Sequence, residues 1–185
     1  MATTIAATNL KRYQNAINNA RGHNFEGFIL AACARYSAQG RAVIDKTPEP
    51  FRVTSTEGGG RFTGRFIAHA QPDFQGTLNG GRSICFEAKY TTTDRMRRNV
   101  LTETQIDTLE QHSALGACAA VCVGIRDEYF FVPWAGWRDM KKHYGKLHVK
   151  AVDLEPYKVK FNGAVMFLDC IGRGTQLPGL NWRFG

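Results

Sequence analysis

The sequence predicts an α/β fold with a mixed central β-sheet flanked by helices. Three observations carry that expectation. An amphipathic helical stripe opens the chain, a series of short strand signals follows, and a second helix then leads into the wholly apolar run "ACAAVCVGI". The order is helix, strands, helix, strands, which suits a sheet covered on both faces.

The elements follow in order. From about Tyr13 to Tyr36 the pattern is helical, because Phe25, Phe28, Ile29, Ala32 and Tyr36 recur at steps of three and four. "GRAVIDKTPEP" reads as a short strand ending in a proline-punctuated turn. "FRVTSTEGGGRFTGRFIAHA" reads as two strands around a glycine-rich connection, and "QPDFQG" as a turn into a further strand. "NGG" at 79–81 is a hairpin signal before the strand that contains "ICFEAKYT". A basic linker, "TTDRMRRN", precedes a helix from about Thr102 to Leu115. After Gly116 come two strands, "ACAAVCVGI" and "EYFFVPW", a short helix near Trp137 to Tyr144, and a strand candidate in "AVMFLDCI". Residues 172–185 read as a C-terminal arm.

Composition bounds the function. A chain of 185 residues can bury one sizeable core, and a single domain over 1–185, with its core at about 13–135, is expected. Lys and Arg number 24 against 16 Asp and Glu, for a net charge of +8, which points to a polyanion and to nucleic acid before membrane. The five cysteines, Cys33, Cys85, Cys118, Cys122 and Cys170, sit mostly in apolar runs without a C-x-x-C pair. They read as reduced core residues rather than a disulfide frame or zinc site. The start "MATTIAATNLKRYQ" lacks a signal-peptide apolar core, and the longest apolar run, Ala114 to Ile125, is too short to span a bilayer. A cytoplasmic protein is expected, nucleoid-associated in a bacterial cell or phage-encoded in its host.

One strand carries chemistry. In "ICFEAKYT", Ile84, Phe86 and Ala88 share one face while Cys85, Glu87 and Lys89 share the other. Taken alone the stretch reads as an edge strand with a solvated outer face. Helices on both sides of it argue instead that both faces are covered, and a buried charge then needs a partner. Asp73, in "QPDFQG", stands thirteen intervening residues before Glu87. A hairpin of antiparallel strands would bring the two carboxylates together with Lys89 just beyond. Two carboxylates suit Mg²⁺, a hard cation that keeps several waters, and a neighbouring lysine can stabilise charge on a phosphate.

A P-D…E-x-K pattern by itself is weak, but it stands among further matches. "RGHNFEGFI" (Arg21 to Ile29), "DKTPEPFRV" (Asp45 to Val53), "PDFQG", "FEAKYT" and "TQIDTLEQ" (Thr104 to Gln111) occur in order across roughly residues 21–132. In these stretches the chain resembles the PD-(D/E)XK nucleases, and more closely the RecU-like Holliday junction resolvases. The resemblance implies a restriction-endonuclease-like core, Mg²⁺ as cofactor with Mn²⁺ as a substitute, a homodimer, and branched DNA as substrate. It implies that Asp73 and Glu87 are metal ligands, that Lys89 stabilises the transition state, and that Gln105 completes the metal or water shell. Glu26 matches the helix carboxylate of the family's R-G-x-x-F-E motif, and Arg21 would contact phosphate or support the site. The threonine that the family often places two residues before the aspartate is Gln71 here, so that ligand is not carried over.

Simpler readings stand beside these. Glu26 lies at the border of the apolar stripe, Thr102-x-x-Gln105 is also a capping box, and Asp73 follows a proline as turn formers do. Arg95, Arg97 and Arg98 follow the catalytic strand where they could track a DNA backbone. Arg61 and Arg65 lie within the glycine-rich segment 54–65, where the related resolvases carry a projection that enters the junction. Lys141, Lys142 and Lys146 read as a solvated face. Two other functions stay open: a PD-(D/E)XK nuclease acting on linear or other branched DNA, and a DNA-binding recombination accessory that does not cut.

Overall fold

The structure is a computed structural model and describes residues 21–22, 24–48, 51–66 and 71–169. The residues before 21, where the sequence predicts the start of the first helix, Cys170 and the expected C-terminal arm lie outside the described residues.

Helix α1 (residues 21–22 and 24–38) runs into β1 (Ala42–Lys46). A hairpin of β2 (Phe51–Thr56) and β3 (Phe62–Phe66) follows, then β4 (Phe74–Leu78) and β5 (Ser83–Thr91). After a three-residue strand β6 (Arg95–Arg97) comes α2 (Glu103–Ala114), which leads to β7 (Cys118–Ile125) and β8 (Glu128–Pro133). The remainder is short: α3 (Trp134–Arg138), α4 (Met140–Tyr144), β9 (His148–Lys150), a 3-10 segment (Ala151–Tyr157), β10 (Lys160–Phe161) and β11 (Val165–Met166).

The central sheet is mixed, in the order β1-β4-β5-β7-β8. β1, β4 and β5 pair antiparallel, β5 and β7 pair parallel, and β7 and β8 pair antiparallel. The parallel step requires a crossover, and α2 provides it. Alternation divides the core into two layers. On one face Ile84, Phe86, Cys118, Ala120, Cys122 and Phe131 pack with Phe25, Ile29, Ala32 and Tyr36 of α1. On the other, Cys85, Val121, Val123 and Val132 pack with Leu109 of α2 and with Trp134 and Trp137. The expected α/β class with a mixed sheet is what the chain forms. β5 is an inner strand, so the edge-strand reading of "ICFEAKYT" gives way to the covered one.

Three sequence readings change in detail. The basic linker contains a strand, because β6 pairs antiparallel with β9 and buries Met96 against Val149. The helix near Trp137 to Tyr144 is two helices, broken at Asp139, whose φ of −92° and ψ of 26° leave the helical region. "AVMFLDCI" keeps only two residues of strand before a 3-10 turn over Phe167–Asp169, where the Tyr36 hydroxyl accepts the Leu168 N–H at 3.0 Å. The four cysteines among the described residues are buried in the core.

Candidate active site

The β4–β5 register pairs Phe74 with Phe86, and one step further along it sets Asp73 opposite Glu87. The β4 ladder stops there. The Ala88 N–H, which would otherwise seek a strand carbonyl, donates to Asp73 Oδ2 at 2.9 Å. Asp73 is fixed from behind as well, since its carbonyl accepts the Thr47 N–H at 2.9 Å. The turn aspartate thus links β1 to β5 and presents its carboxylate beside Glu87.

Among the described residues Glu87 is the charged residue buried in the core, with 1% of its surface exposed. Lys89, on the same face of β5, donates to Glu87 Oε2 at 3.0 Å and reaches Asp73 Oδ2 at 3.5 Å. Glu87 Oε2 also accepts the Gln105 side-chain amide. The other oxygen, Glu87 Oε1, is buried and has no hydrogen-bond partner. Burial, and then the Asp73 carboxylate beside it, push the Glu87 carboxyl up to about 7, against the opposing pull of Lys89. A buried, unsatisfied acceptor next to a second carboxylate is a costly arrangement with no structural return. It marks the place where a cation fits.

The donor set agrees with Mg²⁺. Among the described residues no three His, Cys, Asp or Glu side chains converge as an all-protein metal cage. Asp73 and Glu87 are two, and Mg²⁺ is commonly held by one or two carboxylates with the remaining positions left to water and phosphate.

Gln105 stands in the first turn of α2, where it closes the capping box and also reaches Glu87. Thr102 Oγ1 accepts the Gln105 N–H at 3.3 Å, and Gln105 Oε1 accepts the Thr102 N–H at 3.1 Å. The capping box therefore occupies the side-chain oxygen and turns the amide N–H toward Glu87. In this arrangement the Gln105 amide N–H, rather than its oxygen, faces the Glu87 carboxylate. Thr102→Ala removes the hydroxyl cap, so a loss of about 1 kcal/mol is expected, together with a weaker apparent affinity for the divalent ion. Thermal melting with and without Mg²⁺ checks both, and Thr102→Ser should restore both.

The other expected site residues are spread around this centre. Glu26 accepts from Lys46 Nζ at 2.6 Å; Lys46 precedes Thr47, whose N–H holds Asp73. Sequence reasoning quoted Lys46 in "DKTPEPFRV" without a role, and the sign that marks it is a charge at the end of a strand that otherwise alternates buried and exposed. Thr47 Oγ1 in the same corner is buried without a partner. Gln71 is exposed, and Arg21 is exposed on α1.

The β2–β3 hairpin stands clear of the sheet, with every residue of β2 exposed. Arg65 lies directly opposite Arg52, a residue that sequence reasoning left out. Like charges facing each other across a two-stranded ribbon are destabilising, so the ribbon is built for something other than its own stability. Arg61 is exposed at the tip, beside Gly59 and Gly60 with φ near 76° and 78°. Phe62 is 59% exposed and its ring lies 5.6 Å from that of Phe51. Beyond β5, Arg95 and Arg97 are exposed on β6, and Arg98 donates to the Arg138 carbonyl at 3.2 Å.

A family model described as RecU, Recombination protein U, matches residues 20–173. No curated protein matches the chain. Among solved structures the chain is similar to Hjc, a Holliday junction resolvase from the archaeal hyperthermophile Archaeoglobus fulgidus. The identity is 13% and the TM-score 0.46, over 79% of this chain and 97% of that one.

Proposed function

The chain belongs to the RecU family, Recombination protein U, and from that premise we propose that it is a Holliday junction resolvase working as a Mg²⁺-dependent, structure-selective endonuclease. It cuts four-way junctions by paired nicks, as a homodimer in the cytoplasm. The observation that carries the chemistry is Glu87: a buried carboxylate with one unpartnered oxygen, between Lys89 and Asp73.

Asp73 and Glu87 would hold the cation, which supplies a nucleophilic water at neutral pH and charge neutralisation at the phosphate. Gln105 keeps Glu87 in one orientation. The Lys89 ammonium, 18% exposed beside the buried Glu87, would meet the non-bridging phosphate oxygens as charge grows on them. Glu26 and Lys46 brace the β1 end from which Asp73 is held. Arg21, Arg52, Arg61, Arg65, Arg95, Arg97 and Arg98 bind phosphates, and none reads sequence, which suits recognition of branch shape. Two-fold symmetry follows from the substrate: a junction with two equivalent strands to cut asks for two equivalent sites. Among the described residues no helix is long and apolar enough to cross a membrane.

Asp73→Asn separates this reading from that of a non-cutting accessory. The expected result is junction binding within a few-fold of wild type and nicking reduced by more than a thousandfold. A wild-type protein that binds junctions tightly and never nicks them with Mg²⁺ would favour the accessory.

A further inference from the structure

We infer that the β6–β9 ribbon is a second phosphate-binding surface, built partly from the C-terminal third of the chain, and that it holds a DNA duplex arm beside the active site. The inference rests on the nuclease reading for its partner and on the ribbon's own geometry for its location. Arg95 pairs with Lys150 and Arg97 with His148, while Met96 pairs with Val149. Met96 and Val149 turn into the core. Alternation therefore sends Arg95, Arg97, His148 and Lys150 to the opposite, outward face. Basic residues set directly across from one another weaken a two-stranded ribbon. Asp94 relieves one of the two pairs, lying 3.0 Å from Arg95 Nε and 3.0 Å from Lys150 Nζ. Arg97 has no acidic partner among the described residues, and the face keeps a net positive charge. A polyanion is the occupant that this charge fits.

The ribbon is also held in a fixed relation to the catalytic strand. In the turn between β5 and β6, Thr91 Oγ1 accepts the Thr93 N–H at 3.1 Å, the two threonine hydroxyls lie 2.9 Å apart, and Thr93 Oγ1 donates to the Arg95 carbonyl at 2.8 Å. Arg95 follows Lys89 by six residues, at most about 20 Å of extended chain. A DNA strand advances about 3.4 Å per phosphate, so Arg95 meets phosphates within about six nucleotides of the one held at Lys89.

The test is the salt dependence of binding for Arg97→Gln with Lys150→Gln, on a four-way junction and on linear duplex, beside Lys160→Gln as an exposed-lysine control. Losing two phosphate contacts should lower the slope of log K against log salt by about two for each protomer bound, and weaken binding more than tenfold near 0.1 M salt. Arg97→Lys with wild-type Lys150 should keep most of both. Methylphosphonates within about six nucleotides of the nick should weaken binding by the wild type and add nothing in the double variant. An unchanged slope and affinity in the double variant, with the wild type still cutting junctions, overturns the ribbon and leaves the resolvase reading standing. A reduced slope on both DNAs, with a wild type that neither prefers nor cuts junctions, supports the ribbon and removes the resolvase reading.

Discussion

Glu87→Gln abolishes nicking and, at pH 8 without divalent metal, makes the protein more stable than the wild type. Both outcomes have one cause. Glu87 is 1% exposed, and its carboxyl is raised from an ordinary 4.5 to about 7 by burial and by Asp73. Between those values the folded state binds more protons than the unfolded one, so stability falls as pH rises from about 4.5 to about 7 and is level above that. The full difference is on the order of 3 kcal/mol. A glutamine reproduces the neutral form: one atom still accepts from Lys89 and Gln105, and its amide donates to the Asp73 carboxylate. At roughly 2–4 °C per kcal/mol for a chain of this size, the melting temperature at pH 8 should rise by several degrees and at pH 4.5 by little. Mg²⁺ should stabilise the wild type at pH 8 and leave the variant unmoved. Melting curves at the two pH values, with chelator and with Mg²⁺, decide it; a variant less stable than wild type at pH 8 would show that Glu87 is an ordinary satisfied core residue.

Gly76→Ala is expected to be the most damaging small change in the sheet. A Cβ at Gly76 would lie 2.0 Å from the Val43 carbonyl oxygen and 2.6 Å from the Ile44 Cα. Both are backbone atoms of β1, so no side chain can swing aside. The edge strand must move off β4, and with it go the Thr47 bond to the Asp73 carbonyl and the Lys46–Glu26 pair. Overpacking alone costs about 1–3 kcal/mol, and the lost ladder bonds add to it. A drop of about 3 kcal/mol or more in denaturant melts is expected, with nicking lost even where the variant is still folded. Gly58→Ala, which meets nothing within 4 Å, should stay within about 0.5 kcal/mol.

Period and punctuation were enough to set Asp73 beside Glu87 before any fold was in view. Asp73 and Glu87 could be paired because a hairpin signal at 79–81 lies between two strand signals, and the structure turns there on Gly80 and Gly81 with φ of 90° and 84°. The helical stripe of Phe25, Ile29, Ala32 and Tyr36 is buried as its spacing required. What escaped has a common physical reason. β6 and β9 are three residues each, too short for alternation to show, and each is a strand only because the other exists. Arg52 and Lys46 gain meaning from cross-strand or helix partners remote in sequence. The resemblance pointed to Gln105 but not to its direction: which end of the amide faces Glu87 is set by the capping box, a local bond whose consequence is tertiary.

The most direct measurement is cleavage of a labelled four-way junction beside a linear duplex of matched sequence, with Mg²⁺ or chelator, by wild type and Glu87→Gln. Symmetric nicks in the junction alone, lost with chelator and with the variant, are the predicted result. Equal cutting of both DNAs would contradict junction selectivity, and cutting that survives in chelator or in Glu87→Gln would contradict the assignment of this site.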